Sequence, residues 1–138
     1  MTYATAQDMV TAFGQAEMRD LTDLGNPRLD DVDLTVLNAK LVEATALIDG
    51  YLVGRYELPL ATPPAALRVH CQGLARYLLM TNAPDERAKA DMASAYSYLK
   101  LVSNGMIALL PPAQAPVPTG MGPVVFNPGA KVFGRSDD

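Results

Sequence analysis

Apolar residues recur along this chain at helical spacing, in stretches separated by polar or proline-rich breaks. Leu34, Leu37, Leu41, Ala44, Ile48 and Leu52 fall three or four apart and form one stripe of a helix over 34–52. Asp33 stands just before it, where a carboxylate caps free N–H groups. Leu67, Cys71, Leu74 and Leu78 repeat the spacing over 64–80. Ala88, Met92, Ala95, Leu99 and Val102 repeat it again from about Pro84, ending at Gly105. Asn82 or Ala83 is the expected cap there, with Asp85 and Glu86 in a first turn whose dipole favours acid. Two shorter patterns come earlier. Thr5 and Asp8 have the spacing of a capping box, Met9, Val10 and Phe13 supply its apolar face, and Gly14 can end it. Met18, Leu21 and Leu24 continue the period over 15–24. The pattern predicts an all-α fold: a small bundle of three long helices plus short N-terminal helices.

The breaks divide the chain further. The stretch Ile48–Leu60, IDGYLVGRYELPL, joins the first two long helices and reads as a rigid elbow. Gly50 and Gly54 lower helix propensity, and Gly54 can take a positive φ where the helix stops. Arg55 and Tyr56 follow at once, and Pro59 is expected to hold Leu58 extended so that the chain leaves straight. Leu58 and Leu60 are expected to plug the groove between the helices, and Pro63 and Pro64 to open the next one. Met106–Leu110 reads as a strand or a strap across the core. From Pro111 the composition changes to PPAQAPVPTGMGP, with little to bury. Residues 1–110 are therefore expected to form the helical domain and 111–138 an extended Pro/Gly-rich tail. Val124, Val125, Phe126, Val132 and Phe133 lie in that tail, with Arg135 beside them, around an NPGAK turn. They suit either β-strands formed on docking to a partner or a fold-back onto the chain's own helices.

Composition narrows the function. A chain of 138 residues with 49% hydrophobic and 19% charged positions has material for one core. Its net charge of −4 argues against gripping nucleic acid over its whole surface. A single cysteine leaves no internal disulfide and suits a reducing compartment. No apolar run reaches membrane-spanning length, and MTYATAQD has no signal-peptide pattern, so a cytoplasmic product is expected.

Catalytic chemistry is scarce. His70 and Cys71 are neighbours in sequence, but neighbours on a helix point about 100° apart, so they do not face each other as base and nucleophile. No phosphate loop, zinc spacing or nucleophile motif is present, so no enzyme activity, cofactor or metal is expected. Asp20, Asp23, Asp30, Asp31 and Asp33 would suit a hard cation, but their spacing is not that of a calcium loop. They read as a solvated loop. Arg68, Gln72 and Arg76 share one polar helix face that could look at DNA phosphates or at an acidic neighbour. A DNA-binding or packaging accessory module using that face is the alternative function.

YATAQDMVTAFGQAEMRDLTD, the elbow, ALRVHCQGLARYLL, NGMIAL and the FNPGAKVFGRSDD ending resemble the Mu-like phage and prophage head–tail connector (adaptor) family. The resemblance covers nearly the whole chain, and Arg55, Tyr56, Leu58, Pro59 and Leu60 are its most specific part. It implies a structural protein of the virion neck, assembled in the host cytoplasm as a homo-oligomeric, dodecameric ring below the portal. Such a ring would contact the portal protein and the next neck or tail protein. DNA would pass through its lumen without sequence-specific binding. The resemblance implies no catalytic residues.

Overall fold

The computed structural model describes residues 1–109, and it is all-helical over them. In chain order the elements are α1 Ala6–Phe13, α2 Gln15–Thr22, α3 Leu34–Leu52, α4 Ala65–Leu79 and α5 Glu86–Ser103. The long helices form the bundle, with α4 in the middle against both α3 and α5, and α1 and α2 packed across α3 and α4. The tail residues Val124, Val125, Phe126, Val132, Phe133 and Arg135 lie outside the described residues.

Helices α1, α3 and α5 start where a side chain satisfies free N–H groups, while α2 and α4 have no side-chain cap. At α1, Thr5 Oγ1 accepts from the Asp8 N–H at 3.1 Å while Asp8 Oδ2 accepts from the Thr5 N–H at 2.9 Å. Gly14, at φ +99°, closes α1 and opens α2, a conformation that disfavours a side chain. Asp33 accepts from the Thr35 and Val36 N–H groups at the head of α3. At α5 the cap is Asp85, not Asn82 or Ala83: its Oδ1 accepts from the Ala88 N–H at 2.7 Å. Asp85 wins because its carboxylate is also held from the other side by Arg76. At α4, Pro64 is the cap residue and Ala65 the first helical one.

The inward stripes fill one core: Leu37, Leu41, Ala44, Ile48 and Leu52 from α3, Leu67, Cys71 and Leu74 from α4, and Ala95, Leu99 and Val102 from α5. Three positions differ from the periodic expectation. Leu34 is 57% exposed, because the stripe of α3 begins a turn before the core does. Leu24 is exposed because α2 ends at Thr22, which turns inward instead and donates to the Met18 carbonyl while accepting from the Asp33 N–H. On α4, Leu79 is buried and Leu78 only half-buried. This central helix has neighbours on most sides, so its burial spreads beyond one seam to Gly73, Ala75 and Arg76. A Cβ at Gly73 would stand 3.1 Å from the Asp91 Cβ, so the missing side chain lets α5 approach closely.

The elbow departs from its expected geometry. Gly50 lies within α3, and the helix closes at Val53 in a right-handed conformation, so Gly54 takes no positive φ. The Arg55 and Tyr56 N–H groups both bond the Leu52 carbonyl. The chain then bends at Leu58 and Pro59, across a cis peptide bond, instead of leaving straight. Leu60 is buried in the core and Leu58 packs partly against it, which is the plug. The chain past α5 is a strap, with no strand among the described residues. Leu109 is buried, and its N–H donates to Tyr56 Oη at 2.9 Å, which ties the strap to the elbow.

Candidate functional site

The polar face of α4 is divided by its neighbours. Arg68 is exposed. Gln72 is half-buried and reaches the Asp8 carbonyl at 3.5 Å. Arg76 is only 5% exposed and forms ion pairs with Glu17 of α2 and, at 2.9 Å, with Asp85. Its guanidinium also lies 5.2 Å from the centre of the Phe13 ring, a cation–π distance. Burial works against its charge, but the hydrogen bonds to Glu17 and Asp85 outweigh that and hold its pKa above the ordinary value. The Ala88 N–H and then Arg76 hold the Asp85 carboxyl below its usual range. Arg76 is thus a clamp joining α1, α2, α4 and the cap of α5. The acidic neighbour of this face lies within the chain, and the clamp leaves Arg76 unavailable to phosphates. Glu17, Asp85 and Phe13 were not visible as its partners in the sequence. The one signal was an arginine on the same helix as Gly73 and Ala75, small residues that mark close approach.

The other candidate groups are also in structural use. In the elbow, Arg55 is exposed, with its guanidinium over Gly105, where a Cβ would meet Nη2 at 3.1 Å. Tyr56 holds the strap, Leu60 is core, and Gly50, Gly54 and Pro59 are exposed. Near it the N-terminal segment lies on α3: Tyr3 donates its hydroxyl to Asp49 Oδ1, and its N–H reaches Thr45 Oγ1 at 3.2 Å. Thr45 in turn sits 3.8 Å from Cys71 Sγ. Burial raises the Cys71 thiol above its ordinary pKa, which leaves it protonated and inert at neutral pH. His70 turns away from Cys71 and stacks on Tyr98 with ring centres 4.6 Å apart; burial lowers its pKa against the pull of Asp91.

In the acidic loop, Asp23 is buried and accepts from the Leu29 and Asp30 N–H groups, both at 2.8 Å. Asp31 accepts from Gln15, and Asp33 caps α3. These carboxylates are spent on the loop's own backbone and neighbours. Among the described residues no three His, Cys, Asp or Glu side chains converge as a metal site. A cleft of about 190 Å³ between α1, α4 and α5 is lined by Phe13, His70, Gln72, Arg87 and Asp91. It is below the ~300–1,000 Å³ usual for ligand pockets, and other clefts, of about 320, 330 and 380 Å³, reach only the lower end of that range.

What remains open is a surface. The outward side of α3 carries Thr35, Ala39, Val42, Ala46, Gly50 and, at the cap, Val53, all exposed. At 100° per residue these six fall within an arc of about 80°, opposite the buried stripe. Val42 is 59% and Val53 68% exposed, and none of the six is charged. Polar residues border the strip: Asn38 and Asp49 along one edge, Glu43 on the other, paired with Lys40 at 3.2 Å. Among the described residues, no helix is long and apolar enough to cross a membrane.

Comparison with known proteins gives the setting. The family model described as "Bacteriophage Mu, Gp36" matches residues 3–127. The chain is 33% identical over 107 residues to the Mu-like prophage FluMu protein gp36 of Haemophilus influenzae, a match covering 78% of this chain and 74% of that protein. It is 32% identical over 107 residues to gene product J of Escherichia phage Mu, covering 76% of this chain and 74% of that protein.

Proposed function

The chain belongs to the bacteriophage Mu Gp36 family, and from that premise we propose that it is a structural head–tail connector, or adaptor, and not an enzyme. Its copies form a ring below the portal in the virion neck, extend the DNA channel, and give the tail a surface to dock on. The observation that carries this reading is the outer side of α3, a long exposed apolar strip on a domain whose polar groups serve its own packing. Such a domain is built for contact with other proteins. Its net charge of −4 suits a channel through which DNA slides, because like charge prevents sticking. Ring closure needs a head-to-tail contact between identical subunits, and the tail residues Val124, Phe126, Val132 and Phe133 suit docking on the portal or the next neck protein.

The test is a nonsense mutation in this gene within an inducible phage genome. Electron microscopy of the lysate should show DNA-filled heads and free tails that do not join, and purified protein should restore joining. Normal particles without the protein, or heads that never form, would remove the connector reading.

A further inference from the structure

We propose that Arg55 and Tyr56 form a two-point latch, and that the strap they close, residues 104–109, opens as one unit while the helical bundle stays folded. The elbow joins the end of α3 to the start of α4, and these two side chains reach the chain that leaves α5. The pair is itself fixed to α3, since both its N–H groups bond the Leu52 carbonyl. The strap begins as a reversal of α5. Gly105, at φ +85°, turns the chain, and the Met106 and Ile107 N–H groups bond the Leu101 carbonyl at 2.9 and 3.2 Å. Arg55 covers this turn. Its guanidinium lies over Gly105, just past the C-terminus of α5, where the helix dipole favours a cation. Among the described residues Arg55 has no carboxylate partner, so its charge is free to serve the helix end. Tyr56 holds the far point: its Oη accepts from the Leu109 N–H at 2.9 Å, and Leu109 is buried. Between the two points the strap has little to hold it. Met106 is 75% exposed, Ile107 is half-buried, and the strap's N–H groups bond only α5, Asn104 and Tyr56. A segment with few buried contacts, held mainly at its ends, opens locally before the core does. The two points share one short stretch of chain, so loosening either lowers the cost of releasing the other. Residues 110–138 start from this strap, so the latch fixes the point from which they leave the bundle. Opened, residues 104–109 would add about 20 Å of extended chain to their reach. The inference stands apart from the connector reading.

The experiment is amide hydrogen exchange, followed by NMR, on the full-length chain and on Tyr56→Phe and Arg55→Met. Each variant is read at the point it does not touch. The Ile107 N–H bonds Leu101 and not Tyr56, yet Tyr56→Phe should speed its exchange by about fivefold, the worth of a typical hydrogen bond. The Leu109 N–H bonds Tyr56 and not Arg55, yet Arg55→Met should speed it in the same direction. Core amides at Ile48 and Leu74 are the reference and should exchange as in wild type. In wild type, Ile107 and Leu109 should already exchange faster than those two. If either cross-effect is missing, Arg55 and Tyr56 make separate contacts and there is no latch. If the core amides quicken by the same factor, or the wild-type strap exchanges as slowly as the core, the strap opens only with the whole bundle and the proposal is overturned. A Tyr56→Phe chain that fails to fold has the same meaning. Joining of heads and tails in lysates judges the connector reading separately, so either can fail while the other stands.

Discussion

Helices α3 and α5 are near twins on the inside and differ in charge on the outside. They have 19 and 18 residues, both pack on α4, and their inward residues are fully buried. The outer side of α5 mixes charge with small and apolar residues: Glu86 pairs with Lys89 at 3.3 Å, Ser97 and Lys100 continue it, and Ala90, Ala93 and Leu101 lie exposed among them. The outer side of α3 has Ala39, Val42, Ala46 and Val53 in the corresponding place. Inward faces report the fold, and here they are alike. The outward faces report the setting, and they differ. On the proposed reading, the helix with fewer outward charges is the one that meets a partner.

The largest effect that can test this contrast lies within α3 itself. Ile48→Ala opens the core and should cost about 2–5 kcal/mol of unfolding free energy. Val42→Ala on the opposite side should stay within about 0.5 kcal/mol for the monomer. Denaturant titrations at low concentration measure both. If Val42→Ala costs as much as Ile48→Ala, the outer face of α3 is packed by the chain itself and is no free surface.

Next in size is the clamp that fixes α5 but not α3. Arg76→Met keeps the length of the buried stem and removes the charge shared by Glu17 and Asp85. The expected loss is about 1.5–3 kcal/mol, the worth of hydrogen bonds to charged groups, because Glu17 and Asp85 are partly exposed and turn to water when Arg76 is gone. Hydrogen exchange should quicken in α2 and in the first turn of α5 while α3 keeps its protection. Equal loosening of α3 would show that the bundle has no separately supported sides.

How far the molecule could be read beforehand follows the same division. The inner stripes are local and periodic, so Leu37 to Leu52 and Ala88 to Val102 stood out from spacing alone. The outer stripe of α3 has the same spacing, but a search for one buried face per helix does not ask about a second. Arg76 was misleading for a different reason: its partners Glu17 and Asp85 are 59 and 9 residues away, and only the tertiary fold brings them together. The cap of α5 went with it, because Asn82 and Asp85 are both capping types and Arg76 decides between them. In the elbow, Leu60 was legible from its hydrophobicity, whereas the closing conformation at Val53 depends on backbone bonds to Leu52 that no residue type announces.

The ends of the pH range should stress the two helices separately. The unfolded Tyr3 hydroxyl titrates near its ordinary value of 10.0, while burial and the hydrogen bond to Asp49 raise it in the fold. A raised folded pKa means the contribution is complete below pH 10 and falls as pH rises beyond it. The slope cannot exceed the ~1.4 kcal/mol per pH unit that one proton gives. Tyr3→Phe should flatten this alkaline fall. Asp85 has the opposite sign: its lowered pKa gives stability present above 3.8 and lost as pH falls through the lower folded value. Asp85→Asn should flatten the acid limb. Thermal melts across pH would refute the assignment if each variant changed the other limb.

The smallest effect sharpens the contrast from the α5 side. Lys89→Ala removes the exposed pair with Glu86, one turn into the helix. Both side chains are more than half in water, so salt and solvent screen the attraction and holding the long side chains offsets part of it. Glu86 itself stays favourable in the first turn, where the helix dipole attracts negative charge with or without Lys89. Alanine is also the better helix former, which returns a little. The net change should lie within about 0.5 kcal/mol and shrink further in high salt. Association of the full chain should be unaltered, since α5 presents its charges to water. A loss above ~1 kcal/mol, or a change in sedimentation, would mean that the charged side of α5 also meets a partner. The two helices would then differ only in the kind of contact they make.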